Sequence, residues 1–117
     1  MVHLLIDTDL AGDVDDAIAI AVAGILDKWR EVKLEAVSHC LQHEDCARIV
    51  QIVNNYYGID VPIGYASSSK LKYEEYSRRF LRKILSEDGG GARRFYDAAE
   101  LIKSKLRAVA EKSLTLV

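Results

Sequence analysis

Proline is almost absent from this 117-residue chain, with Pro62 the single example. That excludes a proline-rich linker or a polyproline recognition segment. Cysteine is scarce as well: Cys40 and Cys46 are the only two, too few for a disulfide framework, and the reading is two free thiols in a reducing compartment. Neither charge sign dominates. Sixteen Lys and Arg against 18 Asp and Glu leave a formal charge of −2, which gives no electrostatic basis for nucleic acid or an anionic membrane as partner. Long apolar runs are missing too. The longest, Ala17 to Leu26, has ten residues, about half of the ~20 needed to span a bilayer. The acidic stretch from Asp7 to Asp16 stands where a signal peptide would carry positive charge and then an apolar core. The expectation is a soluble, cytoplasmic chain.

What is present is an ordinary globular balance, 50% hydrophobic and 29% charged, at a length that suits one compact domain. Short apolar runs alternate with longer helical patterns. Val2 to Ile6 predicts a buried strand. Val14 to Trp29 predicts a helix, with Asp13 as N-cap and Asp15 and Asp16 in the first turn, where the helix dipole favours negative charge. That helix is apolar nearly all round, so burial on most sides is expected. Lys33 to Ser38 predicts a second strand, and Glu44 to Tyr57 a second helix stopped by Gly58. Val61 to Tyr65 predicts a third strand, entered through Pro62. Two amphipathic helices follow, roughly Tyr73 to Leu85 and Ala92 to Glu111, parted by Gly89, Gly90 and Gly91, and Leu114 to Val117 predicts a fourth strand. The fold class is therefore α/β, a parallel sheet of about four strands with helices on both faces. A last strand in such a sheet ordinarily leads into another loop and helix, so the expectation is a single domain over residues 1–117, truncated at its C-terminal end. An incomplete sheet of that kind also invites pairing with another chain, a homo-oligomer included.

The segment rich in chemistry is Leu4-Leu5-Ile6-Asp7-Thr8-Asp9-Leu10-Ala11-Gly12-Asp13-Val14-Asp15-Asp16-Ala17. Five carboxylates fall within ten residues between a strand and a helix, and like charges so close cost energy. A hard divalent cation, Ca²⁺ or Mg²⁺, relieves that cost through oxygen ligands. The position after the first strand is also where ligands of open α/β sheets sit. An EF-hand loop fails, because Ala11 and Ile18 occupy ligand positions. A haloacid-dehalogenase-type phosphatase would also place Asp-x-Asp here, but Ala11 stands where that family wants threonine or valine, and Asp15-Asp16 would have no role. Helix capping accounts for Asp13 and part of Asp15 and Asp16, but not for Asp7 and Asp9.

The segment resembles the Asp-x-Asp-(x)n-Asp-Asp signature of the inosine/uridine-preferring nucleoside hydrolases. It is most similar to the variant with one extra aspartate, Ala11 replacing a glycine. Ala36-Val37-Ser38-His39, Asn54-Asn55-Tyr56-Tyr57-Gly58, Val61-Pro62-Ile63-Gly64 and Ser113-Leu114-Thr115-Leu116-Val117 also resemble consecutive family segments. The likeness covers nearly the whole chain and implies the N-terminal part of a Rossmann-like nucleoside hydrolase fold. The activity it implies is hydrolysis of the N-glycosidic bond of a small-molecule ribonucleoside to ribose and free base, as in purine and pyrimidine salvage. By position, Asp9 matches the general base on water and a calcium ligand, Asp16 a second calcium ligand, and Asp15 the residue that holds the ribose hydroxyls. Asp7 matches the first slot of the motif, beside the metal. The implied cofactor is Ca²⁺, which lowers the pKa of a bound water.

Two departures bear on this reading. Cys40 stands where the family has an asparagine on the ribose, and a thiol is a poor replacement for an amide. Further family ligands fall after Val117, whereas calcium takes six to eight oxygens. The alternative reading is a catalytically incomplete fragment or paralogue that binds a metal or ribose, or serves association. Other features have plainer readings. His39, Cys40, His43 and Cys46 are too compact for a zinc set and read as a loop and helix start. Gly89-Gly90-Gly91 lacks the lysine and hydroxyl residue of a phosphate loop. Lys70, Lys72, Arg78, Arg79, Arg82 and Lys83 read as a solvated surface, and Tyr56, Tyr57, Tyr73 and Tyr76 as packing residues.

Overall fold

A computed structural model of the chain describes residues 1–10, 14–68, 82–87, 94–109, 111 and 113–117. The elements are β1 (Val2–Thr8), α1 (Val14–Lys28), β2 (Val32–His39), α2 (Glu44–Tyr57), β3 (Ile63–Tyr65), α3 (residues 82–87), β4 (Tyr96–Asp97), α4 (Ala98–Ala108) and β5 (Leu114–Leu116). The expected α/β class holds. The sheet has five strands rather than about four, in the order β4-β3-β2-β1-β5, and every pairing is parallel. The additional strand is β4, inside the segment expected to be helix from Ala92. Tyr96 and Asp97 pair with Gly64 and Tyr65, and this tertiary pairing overrides the local helical pattern. Helix α4 begins only once the Asp97 carboxylate caps it by accepting from Glu100 N–H at 3.1 Å. The expectations for Asp13, Lys70, Lys72, residues 73–81 and the three glycines fall outside the described residues.

The two faces of the sheet carry different cores. On one side Ile6, Leu34, Val37 and Ile63 pack with Ile20, Ile49 and Val50 of α1 and α2. On the other, Leu5 and Ala36 pack with Leu101 of α4 and with Leu114 of β5. Gly64 makes the second contact possible, because a Cβ there would lie 3.1 Å from the Ala98 Cα. Between Leu4 and Leu5 the register of β1 on β2 shifts: Leu4 pairs with Leu34, but Leu5 pairs with Ala36. Glu35 is the extra residue of this bulge. It is turned to the α4 face, where its carboxylate meets His3 Nδ1 at 2.6 Å and Lys105 Nζ at 3.3 Å.

Both leading helices end in the same hydrogen-bond pattern. Gly58 N–H donates to Asn55 and Ile59 N–H to Asn54; Arg30 N–H donates to Asp27 and Glu31 N–H to Leu26. These are Schellman endings, which place one residue in the left-handed region. Gly58 fills that place in α2 at φ 66°, and Arg30 fills it in α1 at φ 62°. At the other end of α2, His43 is the cap, with Nδ1 accepting from Asp45 N–H at 3.1 Å.

The all-round burial expected of α1 does not occur. It buries Ile20, Ala21, Ala23 and Gly24, while Val14, Ile18, Val22, Ile25 and Trp29 are exposed. The reason is topological: β5 lies beside β1 with no described helix covering it on the α1 side. Tyr56 also departs from expectation. It is 82% exposed and meets Tyr57 edge-on at 5.0 Å, so it packs on a neighbour rather than in the core.

Candidate functional site

The strand order reverses at β1: the chain moves from β1 outward to β2 and β3, and returns to place β5 on the other side of β1. In open parallel sheets the crevice beyond the carboxyl end of the strands at such a reversal is where ligands bind. Asp7 and Thr8 close β1, Asp9 and Leu10 follow it, and Asp15 and Asp16 open α1. Asp7, Asp9, Asp15 and Asp16, four of the five acids singled out from the sequence, therefore gather at the reversal point. The end of β5 borders the same place, since Asp7 N–H donates to the Val117 carbonyl at 2.8 Å.

Alternation along β1 divides these residues between the faces. Asp7 pairs with Ser38 and faces the α4 side, where Ser38 Oγ donates to its carboxylate at 2.5 Å. Thr8 faces α1 and is buried; its hydroxyl donates to Asp16 Oδ2 at 2.6 Å and accepts from Leu10 N–H at 3.1 Å. Asp16 Oδ2 also accepts from Asp9 N–H at 3.2 Å. Thr8 thus ties the strand end, the loop and the first turn of α1 together.

The Asp9 and Asp16 carboxylates are neighbours, joined through the Asp9 N–H on Asp16 Oδ2, and each acts on the other's proton affinity. The bond to Asp16 holds Asp9 above the ordinary carboxylate value, with burial and the Asp16 charge acting in the same direction. For Asp16 burial pushes upward, but hydrogen bonds from Thr8 and from Asp9 outweigh it and the group lies below its ordinary value. Asp7 and Asp9 are exposed, as is Asp15 in the first turn of α1.

Two further residues shape the site: His39, to which the sequence pattern assigned no role here, and Cys40, which stands where the resembled family has asparagine. His39 at the end of β2 is fully buried beneath the loop. Its Nε2 lies 2.8 Å from the Leu10 carbonyl and its Nδ1 accepts from Leu41 N–H at 3.2 Å, an arrangement that suits the neutral ring. Burial lowers its pKa, against the opposing pull of the Leu10 carbonyl and of the Asp7, Asp9 and Asp16 charges. Cys40 follows, with its N–H on the Thr8 carbonyl at 3.0 Å. Burial raises the thiol, and Asp7 and Asp9 raise it further. With both ring nitrogens of His39 engaged and His43 capping α2, the compact His and Cys set is structural. The pairing signal for His39 was the strand pattern itself: one residue past Ser38, it is on the α1 face under the loop.

The donor chemistry fits a hard cation in part. Asp9 and Asp16 are neighbouring carboxylates, and a divalent ion between them would relieve the repulsion of their charges. Asp7 has one oxygen on Ser38 and faces the other side of the strand. Among the described residues no group of three or more His, Cys, Asp or Glu side chains converges. A separate open groove of about 600 Å³ runs along β4 and α4, between Pro62, Tyr96, Leu101 and Lys105, and none of these acids lines it. No described helix is long and apolar enough to cross a membrane. Compared with known proteins, the chain matches no family model, no curated protein and no solved structure.

Proposed function

We propose that the chain carries a nucleoside hydrolase-type site, hydrolysing the N-glycosidic bond of ribonucleosides to ribose and free base. The observation that supports this reading above the others is the placement of Asp9 and Asp16, joined by the Asp9 N–H to Asp16 Oδ2 bond, at the carboxyl end of β1, where the strand order reverses. Asp9 is the general base. It takes a proton from water as the water oxygen attacks C1′, while the C1′–N bond breaks and the electron pair leaves with the base. Asp15, exposed beside the pair, is the group for the ribose hydroxyls. Carboxylates around the sugar stabilise the oxocarbenium-like transition state, and direct attack by water inverts the anomeric carbon. Asp9 and Asp16, with Asp7 adjoining, would hold Ca²⁺, which supplies a water of lowered pKa.

Release of ribose from a panel of nucleosides, with calcium present and then chelated, tests this reading. Wild type is expected to turn over only with calcium, and Asp9→Asn to lose about 10²–10⁴-fold. A folded chain that releases no ribose from any nucleoside, with or without calcium, sinks the catalytic reading and leaves a binding module.

A further inference from the structure

The outward face of α1 is the largest apolar feature that neither core absorbs. Val14, Ile18, Val22, Ile25 and Trp29 are 69%, 58%, 48%, 40% and 71% exposed, at spacings of four, four, three and four that keep them on one side of the helix. Beside the stripe, between α1 and the β1–β5 edge, lies an open groove of about 290 Å³ with almost wholly apolar walls, including Leu4, Ile6, Leu26 and Val117. The stripe alone exposes on the order of 400 Å² of apolar surface, taking usual side-chain areas. That is most of the roughly 500 Å² of apolar area in one side of a standard interface, and the groove supplies more.

We infer that this face is a dimer interface, occupied by α1 of a second copy lying antiparallel across a two-fold axis near Val22. Two observations select this occupant. First, the stripe is nearly symmetric about Val22: Ile18 and Ile25 flank it by four and three residues, Val14 and Trp29 by eight and seven. An antiparallel copy therefore sets Val22 against its mate, Ile18 against Ile25 of the partner subunit, and Val14 against Trp29 of the partner subunit, as an isologous contact requires. Second, the ends of α1 carry opposite charge. Asp15 lies exposed in the first turn and Arg30 exposed just beyond the last, whereas Asp16 is held by Thr8 and Lys28 by the Tyr57 carbonyl within the protomer. Antiparallel packing brings acidic start to basic end twice over, whereas parallel packing opposes like charges. Arg30, next in the chain after Trp29, occupies a left-handed position at φ 62°, where glycine is the usual choice, and is exposed.

The geometry has a consequence for the acidic loop. Asp15 and Asp16 stand in the first turn of α1 next to Val14, so Trp29 of the partner subunit borders the carboxylate site.

Sedimentation of the full chain between about 1 and 100 μM is expected to show a dimer, with Val22→Glu and Ile25→Glu each weakening association at least ~10-fold. Arg30→Glu is expected to weaken it, and the double exchange Arg30→Glu with Asp15→Lys to recover part of the loss. In a Cys40→Ser background, Val22→Cys should form a covalent dimer on mild oxidation, because the position meets its own mate. Ile18→Cys should not, because it meets Ile25 of the partner subunit. A wild type that stays monomeric, a dimer indifferent to both glutamates, or cross-linking at 18 and not at 22 overturns the proposal. The cysteine pair keeps the test open if either glutamate variant fails to fold.

Discussion

His39→Phe removes the support of the acidic loop while keeping the volume that fills the site. The ring is fully buried and serves two backbone groups, the Leu10 carbonyl at 2.8 Å and the Leu41 N–H at 3.2 Å. A buried polar group left without a partner costs about 1–3 kcal/mol. Leu10 is buried and Leu41 half-buried, so the expected loss of folding free energy is about 2–4 kcal/mol at pH 7.5. His39→Gln should lose roughly half as much, since an amide N–H can still reach Leu10. The two replacements also remove a titration. Burial holds the folded His39 below the 6.5 of an unperturbed ring, so below that pH the unfolded chain binds more protons and stability falls as pH falls. The contribution is fully present above pH 6.5 and is lost as pH drops towards the folded value. Urea denaturation of wild type and His39→Phe at pH 7.5 and 5.5 measures both effects. The gap between the two proteins should narrow at pH 5.5. A gap under about 1 kcal/mol at pH 7.5, or one that widens on acidification, refutes the account of His39 as a neutral, doubly bonded prop.

The paired helix ends give opposite expectations for one geometry. Gly58→Ala, at φ 66°, should destabilise by about 1 kcal/mol, and Arg30→Gly, at φ 62°, should stabilise the monomer by a similar amount; thermal melts of the two variants decide. The thiols should be slow towards iodoacetamide at pH 8, Cys46 above all, because burial lifts its pKa to about 12. Rapid labelling of Cys46 in folded protein would show that the α2 contact with the sheet opens readily.

Much of the fold was legible because local chemistry and tertiary packing agree. Helix α2 runs from Glu44 to Tyr57 and stops at Gly58, as its periodicity and its glycine require. β1 and β2 each extend one or two residues past the expected strand ends, since parallel pairing continues into the polar residues Asp7, Thr8 and His39. What could not be read were features set by distant partners. β4 exists because β3 offers it an edge. Arg30 takes a glycine's conformation without a glycine, and His43 caps a helix where the usual residues are Ser, Thr, Asp or Asn. At the site, the pattern located the acids but not their division between faces. Strand alternation sends Asp7 to the α4 face and Thr8 to the α1 face, while Asp9, past the end of the strand, meets Asp16 through its own N–H; Thr8 makes the connection to α1.

The bulge at Glu35 has a reach beyond its own salt links. Before it, β2 is read against β1 in one frame, with Leu34 beside Leu4 under α1; after it, Ala36 lies beside Leu5 on the opposite face. Ser38 reaches Asp7 and His39 goes under the loop only in the second frame. Glu35 therefore acts as a spacer between two incompatible phases of one strand. Its anchoring to His3 and Lys105, at the end of the sheet remote from the acids, keeps the far end in phase. Pairing β2 straight through, with Glu35 taken into the ladder opposite Leu5, would turn every following side chain of β2 over, exchanging core for chemistry without altering a single residue of the acidic loop.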